Sequence, residues 1–135
     1  MTILVIDGQG GQIGGQLIKF LKLNFKNINI IAVGTNATAT ATMLKAGATH
    51  AATGENPVIV ACRKADIIIG PIGIVIADAM LGEITSQMAV AVGQADATRI
   101  LLPVNKCDNL VAGVTEGSMT AVIEDAILKL KNIFK

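Results

Sequence analysis

Aromatic residues are nearly missing from this chain of 135 residues, which has no Trp, no Tyr and three Phe. The chain also has no marked excess of charge of one sign, because its formal net charge is +1 and its lysines are spread along the sequence. Proteins that bind nucleic acid need a basic patch, and those that bind single strands also need aromatic rings for stacking. We therefore expect no nucleic-acid partner.

Cysteine and histidine are equally scarce, with Cys62 and Cys107 far apart and His50 the only histidine. The cysteines form no Cys-x-x-Cys pair, so neither a structural zinc site nor a disulfide framework is expected. The sequence also lacks the Gly-x-x-x-x-Gly-Lys-Ser/Thr phosphate-binding motif. No metal site, catalytic triad or other catalytic residue is predicted, and whether the protein is an enzyme stays open.

Long hydrophobic runs are absent, although 52% of the residues are hydrophobic and the mean hydropathy is +0.62. No apolar run approaches the roughly 20 residues that span a bilayer, so no membrane association is predicted. The chain start has no basic segment followed by a cleavage site, so we expect no signal peptide and a cytoplasmic location. Excess apolar surface favours a homo-oligomer, with residues 72–81 and 88–92 as the candidate interface.

The hydrophobic pattern alternates between short apolar runs and segments with helical periodicity. Strands are predicted at residues 2–6, 30–33, 48–52, 66–69 and 99–104, and helices at residues 12–23, 35–45, 56–64, 74–81, 85–94 and 118–134. Alternation of this kind, with connections of this length, is typical of a single doubly wound, Rossmann-like α/β domain. We expect one domain over residues 1–135, with a mainly parallel sheet of strand order 3-2-1-4-5.

Residues 110–114 have the composition of a sixth strand. Only about five residues separate them from the fifth strand, and a parallel crossover needs a dozen or more. This strand is therefore expected to be antiparallel, at the sheet edge beside the fifth.

Polar residues and glycines follow each of the five predicted parallel strands. The carboxyl ends of parallel strands meet at one edge of the sheet, and ligands bind there where the strand order reverses, between the first and fourth strands. Turn chemistry alone also enriches Gly, Asn and Thr, but it explains Gln9, Glu55 and Lys106 less well. The predicted binding residues are Asp7, Gly8, Gln9, Gly10, Gly11, Gly14, Thr35, Asn36, Thr53, Glu55, Asn56, Gly70, Pro71, Gly73, Asn105 and Cys107.

The turn after the first strand carries the clearest motif. The strict Gly-x-Gly-x-x-Gly pattern fails at Ile13, but Gly8, Gly11 and Gly14 fit Gly-x-x-Gly-x-x-Gly, which resembles the nucleotide-binding turn of several Rossmann-fold reductases. In this interpretation Gly8 permits the turn, Gly11 lets the backbone approach a phosphate and Gly14 lets helix and strand pack. The competing interpretation is that all three glycines serve close packing. Asp7, at the mouth of the turn, faces either the turn amides or the ligand.

A dinucleotide is less well supported than a phosphate. No acid follows the second strand to hold a ribose and no arginine is nearby for a 2′-phosphate, since Thr35 and Asn36 stand there instead. The leading hypothesis is therefore a protein that binds a nucleotide or another phosphate-bearing small molecule, with NAD(P) or another nucleotide as the candidate cofactor. The alternatives are a non-catalytic oligomeric regulatory or scaffold subunit, and a small oxidoreductase-like enzyme with a site completed by a neighbouring subunit. An enzyme using Asp7, or Cys107 with its thiol pKa lowered by Lys106, belongs to this last class.

Blocks of sequence over nearly the whole chain resemble a family of short bacterial proteins, the domain-of-unknown-function family 3842. The resembling blocks are residues 7–11, 34–37, 43–48, 52–56, 66–73, 80–85 and 105–107. The resemblance implies a Rossmann-like fold and suggests that the five blocks after the strands belong together. It supplies no activity and no catalytic assignment.

Overall fold

The computed structural model describes residues 1–104, 108–115 and 117–134. Within these residues, five strands and five helices alternate. They are β1 (Thr2–Asp7), α1 (Gln12–Asn24), β2 (Asn29–Gly34), α2 (Ala37–Ala46), β3 (His50–Thr53), α3 (Glu55–Cys62), β4 (Ile67–Pro71), α4 (Ser86–Gln94), β5 (Thr98–Leu102) and α5 (Met119–Ile133), with a 3₁₀ turn at Ile72–Val75. No helix among the described residues is long and apolar enough to cross a membrane.

The five strands form one parallel sheet in the order β3-β2-β1-β4-β5. This order confirms the strand order predicted from the sequence. The central strand β1 pairs with β2 over six residues, from Thr2 opposite Asn29 to Asp7 opposite Gly34. That register places the ends of β1 and β2 side by side at the carboxyl edge of the sheet.

Helices cover both faces of the sheet, which explains why β1 is apolar from Ile3 to Ile6. Ile3 and Val5 belong to a core built with α1, α2 and α5. Leu4 and Ile6 belong to a second core, built with α3 and α4. Burial of each such side chain contributes roughly 1.5–3 kcal/mol to folding.

Three helices are capped at their amino ends by polar side chains. Asn36 accepts a hydrogen bond from Ala39 N–H at 2.8 Å, Thr85 from Met88 N–H at 3.1 Å and Ser118 from Ala121 N–H at 3.1 Å. Each bond satisfies a first-turn amide that has no partner within its own helix. In contrast, α3 begins at Glu55 after Gly54, one residue before the start at residue 56 that the sequence predicts.

The predicted antiparallel sixth strand is wrong. Residues 108–115 contain turns and no strand, with left-handed φ values of +59° at Asp108 and +82° at Gly113. A strand needs an extended backbone and one covered face, whereas the Leu110 side chain is 95% exposed. The sheet is therefore wholly parallel.

The predicted helix at residues 74–81 is also wrong. The 3₁₀ turn ends at Val75, and turns follow up to α4. We call residues 76–85 the strap. Its backbone is left-handed at Asp78 (φ 68°), Met80 (φ 59°), Leu81 (φ 57°) and Gly82 (φ 91°), so it crosses the carboxyl edge without forming a helix.

Candidate functional site

The site begins where β1 and β2 end next to each other. The turn after β1 carries the N–H group of Gln9, and the turn after β2 carries the side chains of Thr35 and Asn36. Thr35 N–H donates to the carbonyl oxygen of Asp7 at 3.0 Å, which ties the two turns together. Three hydrogen-bond donors are thereby fixed at the carboxyl edge.

Glu83 of the strap reaches these donors from the other side. Its Oε1 atom accepts hydrogen bonds from Gln9 N–H at 2.9 Å, from the Thr35 hydroxyl at 2.5 Å and from the Asn36 side-chain amide at 2.8 Å. We call these three groups of Gln9, Thr35 and Asn36 the donor cradle. The cradle binds one anionic oxygen.

Gly8 and Asn36 determine the shape of the cradle. A Cβ atom added at Gly8 would lie 2.6 Å from Thr35 Oγ1 and 2.9 Å from Glu83 Oε1, so only glycine leaves room for this approach. The Asn36 side chain also donates to the Gln9 carbonyl oxygen at 2.9 Å and caps α2 through its own oxygen. Its amide group therefore has a fixed direction before any ligand binds.

Asp7 faces the turn. It is 3% exposed, and its two carboxylate oxygens accept hydrogen bonds from the N–H groups of Gly8 and Gly14, each at 2.8 Å. Because Gly14 lies in the first turn of α1, the Asp7 carboxylate occupies a position that favours an anion. The protein thus supplies its own anion at this helix terminus.

The two carboxyl groups have pKa shifts in opposite directions. Burial raises the pKa of Asp7, the hydrogen bonds from Gly14 and Gly8 partly offset this, and the charge of Glu83 raises the pKa further. Burial also acts to raise the pKa of Glu83, but the hydrogen bonds from Thr35, Gln9 and Asn36 outweigh it and hold the pKa of Glu83 below its ordinary value. The donor cradle therefore favours a charged oxygen.

Two of the motif glycines pack against α2 or its side chains. Gly11 has a φ of +75°, and a Cβ atom there would lie 2.7 Å from the carbonyl oxygen of Ala39. At Gly14 an added Cβ would lie 2.9 Å from Met43 Cγ. The position open to a ligand is instead Gly10, where the nearest atom would lie 3.9 Å away.

A shallow cleft of about 270 Å³ lies over this turn. It is lined by residues 7–13 and by Met119, the first residue of α5. The cleft borders the donor cradle through Gly8 and Gln9. It gives a small ligand group a place beside the anionic oxygen.

The remaining predicted site residues are scattered. Glu55 accepts a hydrogen bond from the Thr85 hydroxyl at 2.5 Å, and Thr53 shares one with Thr40 at 2.7 Å. Asn56 lines a separate groove beside β3. The structure buries Gly70, Pro71 and Gly73, and the predicted Asn105 and Cys107 lie outside the described residues.

Sequence reasoning missed Glu83, which lies between the predicted helices at residues 74–81 and 85–94. A usable signal did exist, because the segment after the fourth strand starts at the point where strand order reverses and ligands bind. An acid in such a segment is able to reach the end of the second strand, where the expected acid is missing. Gln9 and Glu83 are 74 positions apart in the sequence, so no local pattern predicts that they are in contact.

Comparison with known proteins adds a family and a distant structural likeness. No curated protein matches the chain in sequence. One similar solved structure is a dodecameric FMN-dependent UbiX-like decarboxylase from Escherichia coli O157:H7, with 16% sequence identity and a TM-score of 0.49 over 98% of this chain and 75% of that chain. A family model described as "Domain of unknown function (DUF3842)" matches residues 2–135. The chain belongs to this family.

Proposed function

We propose that the protein binds a nucleotide or another phosphorylated small molecule at the carboxyl edge of its sheet. The observation that carries this proposal is the donor cradle, in which three donors from two turns converge on one anionic oxygen. Phosphate groups in proteins are commonly held by turn amides and by hydroxyl and amide side chains of this kind. A phosphate oxygen has the charge and the lone pairs to take the same three bonds.

The position of the cradle supports the same proposal. It lies at the carboxyl ends of β1 and β2, and β1 borders β4 at the point where the strand order reverses and where open α/β sheets bind their ligands. The cleft beside it, over Gly10, leaves room for a small group next to the phosphate. Small phosphorylated compounds and nucleotides, NAD(P) included, are the ligands to test.

We also propose that the protein works as a homo-oligomer, which is the core of the scaffold alternative. The specific observation is that Val90, in the predicted interface segment 88–92, is 52% exposed. Exposed apolar side chains of this size lose contact with water when a second copy covers them.

The binding proposal is tested with AMP, NAD⁺, NADP⁺ and ribose 5-phosphate in a thermal-shift assay. A phosphorylated ligand at 100 times its Kd stabilises the fold by about 2.7 kcal/mol, whereas adenosine, which lacks the phosphate, is expected to stabilise it much less. If no phosphorylated compound raises the melting temperature, the proposal is wrong.

Thr35→Val locates the binding, because it removes one cradle donor while keeping the branched shape. We expect it to weaken phosphate binding about tenfold, as for the loss of one charge-assisted hydrogen bond. The matched control is Thr38→Val on the exposed surface of α2, which should leave affinity unchanged. Equal affinity of the two variants would move the site away from the cradle.

A further inference from the structure

The proposed function leaves one conflict in the structure, because the donor cradle is filled by the protein's own carboxylate. All three donors point to Glu83 Oε1. A ligand phosphate cannot use the same donors while Glu83 stays there, and two negative groups so close together repel each other. Either the cradle is purely structural or Glu83 leaves when the ligand binds.

We propose that Glu83 stands in for the anionic group of the ligand, and that residues 81–83 act as a latch which the ligand's phosphoryl group displaces. This inference rests on the proposed function and adds to it the regulation of the same site. In the closed state the carboxylate keeps the donors satisfied. In the open state a phosphoryl oxygen takes its place.

The strap is anchored in the core on both sides of the latch, whereas the latch backbone is tied to the strap itself, from Gly82 N–H to the carbonyl oxygen of Asp78 at 3.0 Å and from Glu83 N–H to that of Met80 at 3.1 Å. Met80 is 3% exposed and Ile84 is fully buried, so these two side chains anchor the strap in the core beneath α3 and α4. Between them, Leu81 is 99% exposed, and a Cβ atom at Gly82 would meet nothing within 4 Å. Movement of residues 81–83 therefore uncovers little apolar surface and meets little steric resistance.

The closed latch also holds unfavourable geometry and charge. Leu81 keeps a left-handed backbone (φ 57°), which is strained for a leucine. The charge of Glu83 acts against the charge of the buried Asp7 carboxylate. Both features oppose the closed state, against the three hydrogen bonds to Glu83 that favour it.

The test compares Glu83→Ala and Glu83→Gln with the wild type by isothermal titration with pyrophosphate and AMP. Removing the internal competitor raises the fraction of molecules with a free cradle, so we expect Glu83→Ala to bind about tenfold more tightly. Glu83→Gln, which keeps the shape but not the charge, should fall between the two. Glu124→Ala is the control, because it removes one exposed carboxylate from α5, and it should bind like the wild type.

The outcomes separate the latch from the proposed function. If the wild type binds and both Glu83 variants bind equally or more weakly, the latch is wrong while phosphate binding stands. If neither the wild type nor the variants bind, with far-ultraviolet circular dichroism showing that all are folded, both proposals fail. Acetate titrated in parallel identifies the chemical class, since tighter acetate binding with unchanged pyrophosphate binding would overturn the phosphoryl assignment.

Discussion

Asp7 and Glu83 lie at the same edge of the sheet and show how the surroundings of a carboxylate decide its pKa. Asp7 receives two backbone hydrogen bonds, yet its deep burial dominates and raises its pKa. Glu83 is less buried and receives three hydrogen bonds on one oxygen, so its pKa is lowered. The fold keeps the Asp7 carboxylate buried at a cost in free energy, whereas the contacts of Glu83 stabilise its charged form.

The pH dependence of stability should reveal the Glu83 contacts. Because the pKa of Glu83 is lowered on folding, its contribution is present above the ordinary glutamate value of 4.5 and is lost as the pH falls through the folded value. We expect Glu83→Gln to lower the free energy of unfolding by about 1–2 kcal/mol at pH 7 and by progressively less in acid. Urea unfolding of both proteins between pH 7 and pH 3 measures this.

The contribution of Asp7 to the pH dependence of stability has the opposite sign, and it serves as an internal check. A raised pKa means that the folded state binds the proton more tightly, so the charged Asp7 lowers stability as the pH rises through its folded value. Both proteins keep Asp7, and Glu83→Gln should lower its pKa by removing a neighbouring charge. A difference in stability that stays constant over the whole pH range would contradict these assignments.

At the scale of elements, local pattern predicts most of the fold. The apolar run of β1, the helical spacing in α1 and the caps Asn36, Thr85 and Ser118 are all encoded within a few residues. The two failures, at residues 74–81 and 110–114, are apolar segments whose backbone turns left-handed at non-glycine positions or leaves its side chains exposed. Hydrophobic pattern carries no signal for either property.

The glycine turn makes the same point, because its spacing does not show which glycine packs against a neighbouring helix. Gly11 lies against the backbone of α2 with a φ of +75°, whereas Gly10 is open. We expect Gly11→Ala to lower the free energy of unfolding by about 2–4 kcal/mol, through backbone strain and overpacking. Gly10→Ala should change it by less than about 0.5 kcal/mol.

Chemical denaturation of these two variants separates packing from ligand approach. They insert the same methyl group one residue apart, so composition and charge are matched. Equal losses of stability would show that the turn does not pack against α2 as described. A larger side chain at Gly10 then becomes the appropriate probe of the cleft, since it blocks the approach without disturbing α2.

For the whole molecule, the sequence predicted that the ends of β1 and β2 meet at one edge of the sheet but not the contacts made there. Topology brings the ends of β1 and β2 together, and this much follows from strand order. The scattering of Glu55, Thr53 and Asn56 into separate contacts depends on side-chain directions that strand order does not specify. The contact between Glu83 and the donor cradle depends on the path of the strap, and that path is set only by the complete tertiary structure.

Whether the proposed homo-oligomer forms depends on the surface of the whole molecule. In the predicted interface segment 88–92, Met88 and Val92 are buried in the monomer while Val90 is 52% exposed on α4, beside a shallow groove of about 420 Å³ formed with Ile59 of α3.

If this face packs against a second copy, Val90→Asp places a charge in an apolar contact and should dissociate the assembly. Leu128→Asp is the control, because Leu128 is 56% exposed on α5, which packs on the opposite face of the sheet. Light scattering at micromolar concentration should show a multimeric wild type, a smaller Val90→Asp species and an unchanged Leu128→Asp protein. A monomeric wild type would refute oligomer formation, whereas dissociation by Leu128→Asp alone would transfer the interface to the α1, α2 and α5 face.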